Sequence, residues 1–430
     1  MDNLTHTLIG LAAGEAATRL RACRDPAAAK RTRLLFWAVS AAANNFPDLD
    51  VLLAPLTPGR LGYALQHRGY THTLVFAPLQ ALLVIMIALG LERAWRRGRR
   101  KAARLKPADW RWALGLAAAG LGLHLGFDAL NSYGVHPYWP LDRAWRFGDS
   151  LFIVEPSLWV AFGAPLAFAA ESRAAKGFFA AVVALAVGLA VFTGYVPWQL
   201  ALAFAFGSLW FVGLASKLGA AARIAAGWAA AAAIVAGFAA VGGHARADVR
   251  ALAASQLPES RIADVVLSPF PLNPLCWSVI VVDTDRGWYY ARRGIYAPAP
   301  RLLGAAECPE LPRPGAAGAE AAYDLVPTAL PQVPRLLWSE QFQAPVSELL
   351  RLRDGYCSVD ALLRFTRVPA WKKLADGRVR VGDLRFVGAG GRARGRGFAT
   401  LELPKRGSDD PCPERVPRWG HPRRDLFVGD

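Results

Sequence analysis

The stretch Asn44–Leu74, NNFPDLDVLLAPLTPGRLGYALQHRGYTHTL, sets Asp48, Asp50, His67 and His72 between two apolar segments. An ionisable group in bilayer hydrocarbon costs roughly 2.5–3.5 kcal/mol on insertion scales, so such residues beside spanning helices mark a site. Asp and His together suit a divalent metal, and Asp-x-Asp offers two carboxylates within one turn of chain. Pro47-Asp48 and Pro58-Gly59 are also turn sequences, and Asp48 has the chemistry of a helix cap. The reading that organises the rest of the chain is a metal site at a membrane face.

Composition puts much of the chain in lipid. Apolar residues make up 54% of the 430 and charged ones 19%, against about 25% charged in ordinary soluble proteins. Stretches long enough to span lie at 33–53, 72–91, 112–131, 151–170, 177–196, 198–215 and 224–243. A weaker one, 4–20, contains His6, Glu15 and Thr18 and could instead be amphipathic or re-entrant. The expected fold is an α-helical membrane bundle of about 7–8 transmembrane helices over residues 1–243, followed by a small extramembrane α+β domain over 244–430. Asp2 stands where a removable signal peptide has its positive start, so none is expected.

The formal charge of +17 is concentrated in two loops, one with Arg21, Arg24, Lys30, Arg31 and Arg33, the other running from Arg93 to Lys106. The positive-inside rule makes both cytoplasmic. It then places His6, Asp48, Asp50, His67, His72, His124, Asp128, His136 and Glu155 at one outer end, together with the C-terminal domain. Membrane lipid is the expected partner of the basic runs, and no specific nucleic-acid binding is expected, including for the Gly-Arg run 388–397, read as a hairpin loop. Cys276, Cys308, Cys357 and Cys412 fall in the C-terminal region, an even number able to form two disulfides outside the membrane. There, Trp277–Val282 and Trp288–Ala291 flank a turn and predict a hairpin. Short strands are predicted at 363–366, 378–381, 384–387 and 398–403, and helices at 249–256 and 346–353.

His124 and Asp128 are four residues apart, on one face of a helix, which makes an efficient metal half-site. Arg68 could receive a phosphate or carboxylate, or snorkel to headgroups. Glu155, just before Pro156, offers an outer carboxylate, whether as ligand, base or helix-start charge. His244 and His421 are assigned no role.

The opening DNLTHTLIG (2–10), PDLD (47–50), HRGYTH (67–72) and HLGFDALNSYG (124–134) together resemble the bacterial family of membrane-bound metal-dependent hydrolases, also described as LexA-binding and inner-membrane-associated. The resemblance covers about residues 1–160 and implies His6, Asp48, Asp50, His67, His72, His124 and Asp128 as the metal-site positions. The His-x-x-x-Asp at 124–128 is also distantly similar to zinc-dependent phospholipase C and P1-type nucleases. Those enzymes use their amino terminus as a ligand, and Met1 is given no counterpart role here.

These readings converge on an expected metal-assisted hydrolase at the outer face of the inner membrane, acting on a phosphoester of a lipid or headgroup. Zinc is favoured by the mix of imidazole and carboxylate, with manganese or magnesium fitting if fewer histidines bind. Asp50 or Glu155 would serve as general base, and Arg68 would steady developing negative charge. The alternative is a non-catalytic membrane protein with a structural metal, presenting its C-terminal domain to an envelope or regulatory partner.

Overall fold

The computed structural model describes residues 1–21, 25–57, 61–98, 105–309, 323–387, 398–403, 412–413 and 416–427. Cys23, Arg24, the turn residues Pro58 and Gly59, residues 99–104 of the second basic loop and the Gly-Arg run 388–397 lie outside these residues. The N-terminal half is helical: α1 (Asn3–Leu20), α2 (Pro26–Asn45), α3 (Leu61–Gln66), α4 (Ala77–Arg97), α5 (Pro107–Asp128), α6 (Pro156–Ala169), α7 (Arg173–Phe192), α8 (Trp198–Lys217) and α9 (Ala220–Gln256). Their starts follow from sequence. Asp2, Asp25, Glu155 and Ser172 each cap a helix through the side chain, and proline occupies the first turn of α2, α4, α5 and α6.

Among the described residues four helices, α4, α7, α8 and α9, are long and apolar enough to cross a membrane, fewer than the seven or eight expected. The reason is polarity and length. Helix α1 buries His6 and Glu15, α2 buries Ser40 and Asn44, α5 buries Asp109, His124 and Asp128, and α6 is only 14 residues long. The segment expected at 33–53 stops being α-helical at Asn45, where the chain tightens into a 3₁₀ segment, Pro47–Leu56. Helices α1, α2, α5 and α6 instead supply much of the packed interior, while α4 exposes Leu82, Met86 and Ile87, and α8 exposes Phe206, Leu209 and Trp210. Close approach of α1 to α2 needs glycine: a Cβ on Gly10 would stand 2.7 Å from Ala41 Cα, and one on Gly14 2.7 Å from Phe36 O.

The helices are polarised end to end. Ion pairs Arg19–Glu15, Arg33–Glu15, Arg31–Glu92 and Arg21–Asp109 gather where α1 and α4 end and α2 and α5 begin. The His and Asp residues of the expected site gather at the opposite ends.

Helix α9 runs on without a break through residue 243 to Gln256, where residues 249–256 were expected as a separate helix. It packs on a five-stranded antiparallel sheet of order β1-β2-β3-β5-β4, formed by β1 (Arg261–Phe270), β2 (Asn273–Asp285), β3 (Trp288–Tyr296), β4 (Val326–Pro327) and β5 (Leu336–Pro345). The expected β2–β3 hairpin is present, its turn made by Arg286 and Gly287 with φ of 46° and 79°, the positive pair that suits a two-residue hairpin. Then follow α10 (Val346–Gly355), α11 (Cys357–Leu363) and a three-stranded antiparallel sheet, β6 (Pro369–Lys373), β7 (Val379–Asp383) and β8 (Thr400–Leu403). Two expected strands are absent: 363–366 closes α11 in a turn, and 384–387 opens as a 3₁₀ turn capped by Asp383. Disulfides join Cys276 to Cys308 and Cys357 to Cys412.

The sheet region is seated on the bundle. One hydrophobic core combines Leu61, Leu65, Tyr133 and Trp145 of the bundle end with Phe342, Leu362, Phe365, Val381 and Trp419. Polar ties reinforce it. Arg367 donates to Asp149 at 2.8 and 2.9 Å and to Asp264 at 2.8 and 3.1 Å. Arg385 donates to the Ser132 and Tyr133 carbonyls, and Trp419 Nε1 to the Leu65 carbonyl at 3.3 Å.

Candidate metal centre

Four atoms carried on separate stretches of chain converge: Asp48 Oδ1 from the 3₁₀ segment, His72 Nε2 from the turn Tyr70–His72, and His124 Nε2 and Asp128 Oδ2 from the last turn of α5. His72 Nε2 lies 3.0 Å from His124 Nε2, and each lies 3.5 Å from Asp48 Oδ1. Asp128 Oδ2 is 3.3 Å from His72 Nε2 and 3.6 Å from His124 Nε2. A tetrahedron with metal–ligand bonds of about 2.0–2.1 Å has edges of about 3.3–3.4 Å, so these five separations fit a first-row divalent ion.

The imidazoles are aimed from behind. His124 Nδ1 donates to the Asn44 carbonyl at 2.6 Å, which leaves the Nε2 lone pair facing inward. His72 Nδ1 is 3.2 Å from Asp50 Oδ2, the carboxylate–histidine pairing that orients metal-bound imidazoles. Asp50 also accepts from Thr71 Oγ1 at 2.8 Å and is 2.9 Å from His67 Nδ1. Asp50 and His67 therefore sit behind His72, outside the convergent four. His6 approaches from the other side, with Nε2 3.2 Å from Asp128 Oδ1 and its ring stacked 3.9 Å from that of His124. The Met1 amino group, assigned no part from sequence, is buried against Asp128 Oδ1 as well.

Arg68 is 2% exposed and held in the left-handed region at φ 58°, an uncommon backbone state for a bulky residue. Its Nε is 2.9 Å from Asp128 Oδ2 and its Nη1 donates to Asn131 Oδ1 at 3.0 Å, with the guanidinium 4.5 Å from the centre of the Tyr133 ring. The side chain is committed to holding Asp128. Glu155 caps α6 through Ser157 and accepts from the Leu272 amide at 3.2 Å. Burial raises its carboxyl to about 7 against those hydrogen bonds. His136 is buried between Trp145 and Trp419, and burial lowers it to about 3.

Charge in the cluster follows from the convergence. Burial disfavours ionised Asp48, yet the hydrogen bond from His72 and the nearness of His124 hold it down to about 2. Burial likewise opposes a charge on His72, but hydrogen bonds to Asp128, Asp48 and Asp50 outweigh it and raise the imidazole to about 10.

Comparison with known proteins bears on the first 200 residues. Residues 1–200 match the family described as YdjM inner membrane protein. No curated protein and no solved structure matches the chain. The family description carries a place in the cell and no reaction, and with the four apolar helices it supports a multi-pass membrane protein. The site residues Asp48, His72, His124 and Asp128 all lie inside the matched span.

Proposed function

We propose that this protein is an inner-membrane, metal-dependent hydrolase acting on a phosphoester of a lipid or headgroup at the outer face. The observation that carries the reading is the convergence of Asp48, His72, His124 and Asp128, whose ligand atoms all lie within 4.8 Å of one another, with both imidazoles oriented from behind. A divalent ion held there, zinc by its affinity for mixed imidazole and carboxylate donors, would acidify water and polarise the ester oxygen. Asp50 fixes the His72 ring by accepting from its Nδ1, and Arg68 fixes the Asp128 carboxylate. Asp48, with 9% of its side chain exposed, is the most open of the four and marks the side from which substrate would approach. The cysteine pairs favour an oxidising compartment for the sheet region, which agrees with the outer placement derived from the basic loops.

A second reading has its own support. Four buried protein donors brought together, as here, are typical of closed, structural zinc sites, whereas catalytic sites keep one position for water. Elemental analysis of detergent-purified protein, beside a His72→Ala, His124→Ala variant, tests both. The hydrolase reading expects stoichiometric metal lost in the variant, and phosphoester turnover lost in Asp48→Ala. Metal without turnover on a phosphoester panel, together with a cobalt-substituted spectrum indifferent to phosphate, supports the structural role. No metal in the wild type after reloading overturns both.

A further inference from the structure

A groove of about 550 Å³ runs between α2 and α4. Its walls are short side chains, Ala38 and Ala42 on α2 and Ala88 on α4, beside Leu35 and Val84. The helices are antiparallel, so the groove has unlike ends. One is closed by the Arg31–Glu92 ion pair, with Trp95 4.5 Å from the Arg31 guanidinium. The other ends at Phe46, two residues before Asp48, where Gln80 of α4 donates to the Thr71 carbonyl at 2.7 Å beside His72.

Hydrocarbon is what meets this surface. Helix α4 is long and apolar enough to cross a membrane, and Leu83, Ile87 and Leu91 are exposed on it. The groove spans α2 from Arg31 to Phe46, about 22 Å at 1.5 Å per residue. That length accommodates an extended lipid tail, since two opposed tails fill about 30 Å of hydrocarbon. Beyond Phe46 the 3₁₀ segment exposes Leu49 and Leu52, at 50% and 73%, so the rim of the polar centre is itself apolar. Among the described residues, the Phe46 end is the one that leads to the His and Asp centre.

We infer that the α2–α4 groove holds one acyl tail of a membrane phospholipid whose head lies at the Asp48–His72 centre. The inference rests on the proposed hydrolase for its substrate role and narrows that substrate to a long-chain lipid over a soluble phosphoester. The bare alanines are what admit the tail.

The test uses the full chain in nanodiscs containing phosphatidylglycerol with a diazirine in the acyl tail, read by mass spectrometry of cross-linked peptides. Labels should concentrate on residues 31–46 and 84–95. Ala38→Trp and, separately, Ala42→Trp should each cut groove labelling at least fivefold, with metal content unchanged. Leu83→Trp, on the exposed face of α4, should leave groove labelling as in the wild type. Labels spread evenly over α7 and α8, or undiminished in both groove-filling variants, overturn the inference. Groove-specific labelling in a protein that takes up no metal upholds the lipid site and overturns the hydrolase instead.

Discussion

Asp128 faces two sides with one carboxylate, Oδ2 toward the convergent ligands and Arg68, Oδ1 toward His6 and the Met1 amine. Asp128→Asn therefore strands a buried guanidinium, a change that costs about 3–5 kcal/mol when one partner of a buried pair is removed. A fall in unfolding temperature even without metal is the expected readout. Asp50→Asn should behave differently. It keeps an acceptor behind His72, so the fold should survive while metal affinity drops by about 10–100-fold, the usual effect of losing such a support. Protonation gives a further prediction. His72 is raised from its ordinary 6.5 to about 10 in the folded, metal-free chain. Its contribution to stability is thus full below about 6.5 and lost as pH rises through about 10. Because a metal must displace that proton, apparent affinity should climb with pH over the same window, as competition titrations with a chelator would show. Sequence made the His124–Asp128 pair plain through its four-residue spacing. It did not separate Asp48 from Asp50, since the 3₁₀ winding of Pro47–Leu56 decides which carboxylate faces the two Nε2 atoms and which backs Nδ1 of His72.

At the scale of elements, α1 is positioned by what it lacks. Gly10 and Gly14, four residues apart, let it lie against α2 and so bring His6 to Asp128; small residues at this spacing are how membrane helices approach closely. Gly14→Val should cost about 1–3 kcal/mol by overpacking, seen as a lower unfolding temperature in detergent. A matching change at Gly115, where a Cβ meets nothing within 4 Å, should leave it unchanged. That the Gly10 and Gly14 face of α1 meets α2 was not legible in the sequence. Hydropathy located the apolar segments, but could not distinguish helices bathed in lipid from helices packed inside others. Buried His6, Glu15 and Asp109 show why: His6 faces Asp128 of α5, Glu15 accepts from Trp37 of α2 and Asp109 pairs with Arg21 at the end of α1, an arrangement a window average does not register. The β2–β3 hairpin was legible from its alternating strands and turn, whereas β5 was obscured by the proline-rich sequence preceding it.

Across the whole molecule, the sheet region and the polar end of the bundle form one body, joined by the Arg367–Asp149–Asp264 network and the shared core around Trp419. Against burial, Arg367, with Arg423 and Arg246, holds Asp264 down to about 2. Relative to an unfolded value near 3.8, that stability is present above about 3.8 and lost as pH falls through about 2. Acid should therefore loosen this junction, and Asp264→Asn should flatten the acid limb of the unfolding profile. The disulfides close separations of 32 and 55 residues, worth about 3–4 kcal/mol each on chain-entropy grounds. With five cysteines in the chain, mass-tagging of unreduced protein should add one adduct, at Cys23, and reduction should expose four more. Five adducts without reduction would place the sheet region on the reducing side.

The seating of Trp419 beside His136 and on the Leu65 carbonyl also sets a schedule. Roughly 290 residues separate Asp128 from Trp419, and at about 5–20 residues per second the ribosome needs on the order of tens of seconds to supply them. Through that interval the bundle end around Leu65 and His136 lacks its C-terminal partner. A chain arrested before Trp419 should therefore expose the Tyr70 and Trp139 rings that the finished protein packs against it.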